Sequence, residues 1–275
     1  MKAVAMILCL LLVACGGAQK PAAPATAKAP EAAPAPASEP VVEATGNDVN
    51  AGGGEWSDDK GTATVKGVVK FGGKPPKRRG IDVGSEAYCV QAHKDEPLRT
   101  ESVVVGADGG LANVYIHVTS GLEGWKFPEG TGEVELDQRG CQYVPHLLVA
   151  QVGETLKIKN NDPIMHNVHG VNAKTDKDEF NWAQTKAGLE DTKDLKKAGF
   201  IRINCDVHGW MHASLWIQKD PFFAVTGEDG AFALPKLPAG TYTIEAWHEE
   251  LGTQTQSVTV GDGEAKEITF SFSAK

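Results

Sequence analysis

The chain has no surplus of basic residues and no apolar run long enough to span a bilayer. Lys and Arg number 27 against 36 Asp and Glu, a formal charge of −9. Nucleic acid is thereby excluded as an expected partner, because phosphate recognition needs a basic surface. The one long apolar stretch, Ala3 to Ala14, falls short of the roughly 20 residues a membrane helix requires. No C-x-x-C-H is present, so no haem c is attached through that motif. Cysteine is scarce, and each of its five occurrences therefore carries weight.

What is present begins with an export signature. Met1-Lys2 supplies positive charge, and the following run has the length of a signal-peptide core. It ends Leu12-Val13-Ala14-Cys15-Gly16, which resembles a bacterial lipobox. That resemblance implies a signal peptide over 1–14, lipidation at Cys15, and a membrane anchor at the cell envelope. An ordinary signal peptide with an incidental Cys is the alternative. Gly17, not Asp, stands second after the Cys, which favours the outer of two membranes. From 15 to 58 the chain reads as a tether. Ala and Pro fill most positions between Lys20 and Pro40, and such a stretch has nothing large to bury.

Cys9 leaves with the signal peptide and Cys15 carries lipid, so Cys89, Cys141 and Cys205 remain in an oxidising compartment. An odd thiol there needs a reason, and metal ligation supplies one for Cys205. Cys89 and Cys141 are then free to pair. Closing a loop of that length stabilises by roughly 3–4 kcal/mol on the chain-entropy estimate; two separately buried thiols are the alternative.

Short apolar stretches rich in Val, Ile, Thr and aromatics, punctuated by turns, predict an all-β chain. Strands are expected over 64–71, 102–105 and 112–118. A second group covers 133–136, 147–152, 155–160, 200–204 and 213–218, and a third 231–234, 241–247, 253–260 and 265–272. The residues around Tyr88-Cys89 read as irregular. The polar stretch 172–198 reads as a connection with room for a short helix.

The chemistry sits in Cys205-Asp206-Val207-His208-Gly209-Trp210-Met211, a C-x2-H-x2-M run just after an expected strand. Upstream, Asn160-Asn161-Asp162-Pro163-Ile164-Met165-His166-Asn167 offers a further imidazole. One thiolate, two imidazoles and a thioether make a donor set suited to a blue-copper centre. Zinc also accepts Cys and His, but a thioether serves it poorly. A buried structural thiol beside incidental histidines is the bland alternative. His169 and His212 follow the two motifs closely. They are exposed edge residues, or an extra ligand in place of Met211, or part of a second and weaker metal site.

With these motifs, residues 131–219 resemble a cupredoxin, with an amicyanin-like short ligand loop. The run Tyr143 to Asn160, with its Pro, alternating apolar residues, Gly turn and closing Asn, matches the same pattern. The resemblance implies a Greek-key sandwich holding one copper ion. His166, Cys205 and His208 would be equatorial ligands and Met211 the long axial one, with the Asn167 amide bonded to the Cys205 sulfur. Absent His-Cys-His triplets and paired His-x-His sets argue against a trinuclear oxidase cluster. Ile201, four residues before Cys205, argues against a dinuclear copper–thiolate centre.

Residues 220–273 resemble a carboxypeptidase regulatory-like (transthyretin-like) domain. The matching residues are Glu228-Asp229-Gly230-Ala231-Phe232, Leu237-Pro238-Ala239-Gly240-Thr241-Tyr242 and Ala246-Trp247-His248. The opening strand of that fold is matched far upstream, by Val65-Lys66-Gly67-Val68-Val69. The expected arrangement is a host sandwich split between 61–130 and 220–275, with the copper domain inserted; three consecutive units are the alternative. No catalytic constellation is visible. The expectation is an exported electron carrier with a protein redox partner. The alternatives are a copper delivery or storage module, or a structural, glycan- or protein-binding surface lipoprotein.

Overall fold

The structure, a computed structural model, describes residues 52–274. Cys15, the signal segment and most of the expected tether lie outside the described residues. In chain order the strands are β1 (Gly54–Glu55), β2 (Ala63–Gly72), β3 (Tyr115–Ser120), β4 (Trp125–Lys126), β5 (Glu133–Gln138), β6 (Tyr143–Val144), β7 (Leu147–Gln151), β8 (Thr155–Asn160) and β9 (His166–Asn172). They continue with β10 (Asp178–Gln184), β11 (Leu189–Asp194), β12 (Gly199–Asn204), β13 (His212–Gln218), β14 (Phe223–Val225), β15 (Ala231–Leu237), β16 (Gly240–His248), β17 (Gly252–Val260) and β18 (Ala265–Ser273). A single short α-helix, α1 (Ala87–Ala92), lies among the described residues. The fold is all-β.

Two sandwiches result. In the first, sheet β14-β3-β16-β17 faces sheet β15-β2-β18 over a shared core that includes Val65, Val69, Ile116, Leu234, Tyr242, Ile244 and Phe270. β2 shows why: Ala63, Val65, Gly67, Val69 and Phe71 are buried while the intervening positions are not, the period-2 pattern of a strand with one face inward. β2 runs parallel to β18 and antiparallel to β15, so residues 63–72 pair with strands from the far end of the chain. Gly230, before β15, has φ +71°, and a Cβ there would lie 2.1 Å from the Val69 carbonyl oxygen. Only glycine fits that turn.

In the second sandwich, sheet β10-β9-β12-β13-β7 faces sheet β11-β8-β5-β6. Leu136, Leu156, Ile158, Val168, Ile203 and Leu215 fill its core, together with Cys205 and Met211. All nine of its strands fall between residues 133 and 218. Between the two sandwiches, β3, β12, β13 and β16 bring aromatic rings together. Phe200 stacks on Trp216 at 4.6 Å, Tyr115 on Trp216 at 5.3 Å, and Trp247 meets both Phe200 and Trp216 edge-on at 5.3 Å.

Three local expectations are corrected. Residues 102–105 form no strand, only the single bridge Val105–Leu111, because the Leu111 amide is taken by the Val69 carbonyl of β2. The stretch 172–198 holds no helix. Phe180 and Gln184 are buried at alternating positions of β10, and β10 and β11 join opposite sheets. The irregular segment around Tyr88 contains α1, whose first turn is capped by the Glu86 side chain accepting from the Tyr88 amide at 3.2 Å.

The chain returns from the second sandwich to the first through Lys219-Asp220-Pro221. Asp220 Oδ1 accepts from the Phe222 amide (3.0 Å) and Gln218 Nε2 (2.9 Å). Burial pushes the Asp220 carboxyl up to about 6. A carboxyl raised in the folded state contributes stability that is fully present below its unfolded value and is lost as pH rises through the folded one. Asp220→Asn should therefore gain on the wild type by about 3 kcal/mol between pH 4 and pH 6.5, with no further change above. Denaturant unfolding of both proteins across that range measures the difference; a pH-independent offset would refute it.

Candidate metal centre

The loop between β8 and β9 is built by Asn160, the last residue of β8. Its Nδ2 donates to the carbonyls of Ile164 (2.9 Å) and Gln184 (3.0 Å), and its Oδ1 accepts from the Asp162 amide at 2.9 Å. This closed turn delivers His166 as the first residue of β9, fully buried. From the other side, β12 ends at Asn204 and releases Cys205. The Cys205 amide donates to the Met211 carbonyl (3.2 Å) and the Met211 amide to the His208 carbonyl (2.9 Å). The seven-residue loop is thus folded back on itself before β13 begins. Asn167 Oδ1 accepts from the Asp206 amide at 3.0 Å and ties the two ligand segments together.

At their meeting point, His166 Nδ1 and His208 Nδ1 are 2.9 Å apart, and Cys205 Sγ lies 3.9 Å from His208 Nδ1. One ligand atom from each of His166, Cys205 and His208 falls within 4.8 Å of the others, and all three side chains are buried. Met211 is buried in the same core cluster as Cys205. The structure therefore brings the predicted ligand residues to one end of the second sandwich.

The electrostatics of the cluster follow from its neighbours. Burial alone would raise the Cys205 thiol. His166 and the amides of Asn167, His208 and Val207 outweigh it and hold the thiol below its ordinary value. The His208 amide lies 3.3 Å from the sulfur. Burial would lower His166, but Asp162 and then Cys205 raise it. Burial and the charge of His166 lower His208, against weaker opposition from Glu86 and Asp162.

Asp162 is a residue the sequence reading did not single out. It is 1% exposed. Its Oδ2 accepts from His166 Nε2 (2.8 Å) and the Cys141 amide (2.7 Å), and its Oδ1 from the Gly140 amide (2.8 Å) and the Tyr88 hydroxyl (3.1 Å). Burial would raise its carboxyl, but His166 and the Cys141 and Gly140 amides outweigh it and hold it below the usual range. Because the carboxylate only accepts, His166 carries its proton on Nε2 and keeps Nδ1 for a metal.

Cys89 and Cys141 form a disulfide that closes a separation of 52 residues. It fastens α1 over the ligand end. Val83 and Leu98 pack there with the disulfide, against Ile164 and Trp210 of the two ligand loops. Trp210 Nε1 donates to the Cys141 carbonyl at 3.0 Å, and its ring lies 5.0 Å from that of His208. Glu86 Oε2 approaches His208 Nε2 at 3.9 Å. His208 is left only 3% exposed. This cover comes from a segment of the chain that looked irregular, and no motif marked it.

The two additional histidines part company. His169 does not join the cluster. Its ring lies between Asp178 (2.9 Å) and Asp206 (3.1 Å), which raise its pKa and occupy both nitrogens. His212 does not reach the cluster as a replacement for Met211 either. Its ring turns toward His146, with centroids 5.1 Å apart.

Residues 212–273 match the family model described as carboxypeptidase regulatory-like domain. The match starts within β13, which pairs in the second sandwich, and continues through β14–β18 of the first. No curated protein matches the chain. Among solved structures, a reduced amicyanin variant is 21% identical over 31% of this chain and 81% of its own, with a TM-score of 0.28. An oxidised amicyanin variant is 23% identical over 31% and 82%, also at 0.28. The copper-containing nitrite reductase of Thermus scotoductus SA-01 is 18% identical over 32% and 23%, at 0.27. Likenesses of this size assign no ligand and no activity.

Asp162→Asn replaces an acceptor by an amide donor, which must face a peptide N–H, the Tyr88 hydroxyl or the His166 ring. The variant should lose about 3 kcal/mol of stability, as expected for breaking a buried, hydrogen-bonded charge pair. Chemical unfolding monitored by Trp fluorescence measures the loss; a change below about 0.5 kcal/mol would contradict the role given to Asp162.

Proposed function

We propose that the chain is a copper protein that exchanges single electrons with a protein redox partner, holding one ion between His166, Cys205 and His208 with Met211 as the fourth ligand. The observation that carries this reading is the convergence of two imidazole nitrogens and the Cys205 sulfur within 4.8 Å, all three side chains buried, with the two Nδ1 atoms 2.9 Å apart. The donor set fits the metal: soft sulfur favours Cu(I), and imidazole serves both oxidation states, so a bound copper supplies one-electron chemistry.

The protein's own residues supply the rest. Asp162 fixes the tautomer and direction of His166. The amides around Sγ stabilise the thiolate that a metal requires. Trp210, the disulfide and the α1 segment exclude solvent, so the ligands keep one arrangement through a change of charge. The same closure favours a retained ion over an exchanged one, which supports electron transfer above delivery or storage. Under this reading the lipid at Cys15 would hold the protein at the cell envelope, where its partner would be found, and the chain would carry out no catalysis.

Adding Cu(II) to the full chain should produce an intense visible thiolate-to-copper charge-transfer band that bleaches reversibly on reduction. Cys205→Ser should abolish the band. Colour surviving in that variant would remove Cys205 from the ligand set, and a colourless wild type would end the electron-transfer reading.

A further inference from the structure

A second cluster of ligand-type side chains lies where the two sandwiches meet. His146 stands in the turn between β6 and β7, His212 opens β13, and Glu249 follows β16. One ligand atom from each falls within 4.8 Å of the others. His146 is 5% exposed and its Nε2 is 2.7 Å from Glu249 Oε1. The other ring nitrogen, Nδ1, faces Glu101 Oε2 at 4.0 Å. His212 Nδ1 lies 3.2 Å from the Trp210 carbonyl. A carbonyl only accepts, so this nitrogen carries the proton and Nε2 keeps its lone pair. His146 thus directs Nε2 at Glu249, and His212, with Nδ1 held by a carbonyl, has Nε2 to offer. That is the arrangement in which histidine ligates metals, with a carboxylate or carbonyl fixing the ring from behind.

We propose that His146, His212 and Glu249 form a second metal site for a divalent cation of the zinc class. Two imidazoles and a carboxylate, with no sulfur, suit Zn(II). Three protein ligands leave one position for water. The site is reachable, because His212 is exposed. Its ligands come from both sandwiches, so the bound cation joins β7 and β13 of one to the β16–β17 turn of the other. It shares no ligand with the copper reading and stands without it, although His212 follows Met211 directly in the chain.

Zn(II) is the probe, and full-chain Cys205→Ser is the background, since it lacks the thiolate of the first cluster. This protein should bind one equivalent by calorimetry, and its thermal midpoint should rise with Zn(II) concentration. Adding His212→Ala should weaken binding by roughly tenfold or more and remove the thermal shift. Glu249→Gln, which preserves shape, should do the same. Zn(II) affinity unchanged by both substitutions, or no uptake at all, overturns the proposal. His212→Ala alone should keep whatever Cu(II) colour the wild type develops. Zn(II) uptake that depends on His212 in a chain with no Cu(II) colour would uphold this site while the copper reading falls.

Discussion

The ligand end of the second sandwich is organised around one buried carboxylate. Asp162 meets a tyrosine hydroxyl from α1, two amides from the turn holding Cys141, and the ring of His166. A buried charge is tolerated only when its lone pairs are satisfied, and a carboxylate offers about four acceptor sites. All four are used here by groups far apart in sequence. The carboxylate therefore sets the direction of a candidate ligand and the seat of the segment that covers it. Moving any one donor would expose the others to an unpaired charge, so the four positions are fixed together.

The cover has an electrostatic consequence. Charges interact more strongly where water is excluded, and the buried Asp162 carboxylate lies 2.8 Å from His166 Nε2, with Cys205 and His208 clustered at the other edge of the ring. That contact depends on the α1 segment, which supplies the Tyr88 hydroxyl to Asp162. The disulfide secures it by a covalent tie worth about 4 kcal/mol on the chain-entropy estimate for a loop of this length. The disulfide also lies directly beside the cluster: the Cys141 sulfur falls within 4.8 Å of ligand atoms of both Asp162 and His166.

Much of this was legible in the sequence. Period-2 burial in β2, β8 and β16 could be read from alternating apolar residues, and the C-x2-H-x2-M run announced a site because its ligands are neighbours in the chain. The pairing of Val65 with residues beyond 230 was readable only through the matching of motifs at the two ends. What escaped was non-local or locally bland. Asp162 sits in an Asn-Asn-Asp-Pro string that looks like any turn. α1 lies in a polar stretch of 77–100 whose order depends on the disulfide and on Trp210. His146 and Glu249 are 103 positions apart, and no spacing rule connects them. The strand expected at 102–105 does not form, and the stretch 172–198, read as a connection, holds β10 and β11; in both, tertiary pairing outweighed local preference.

The two sandwiches are joined by chemistry of two kinds. The first is stacked rings, with Trp216 between Phe200 and Tyr115 and Trp247 at their edges. Aromatic contacts of this sort add about 0.5–1.5 kcal/mol each beyond burial and tolerate small rotations. The second is His146 between the carboxylates of Glu249 and Glu101, a polar contact that depends on protonation or on a cation. The rings supply adhesion that is insensitive to conditions, and the histidine–carboxylate contact supplies orientation that is sensitive to them. Because β13 carries both Trp216 and His212, four residues apart on one face, and follows directly from Met211, the strand that ends the ligand loop is held at both contacts. The geometry of the first cluster is in this way a property of the whole two-sandwich body and not of the inserted sandwich alone.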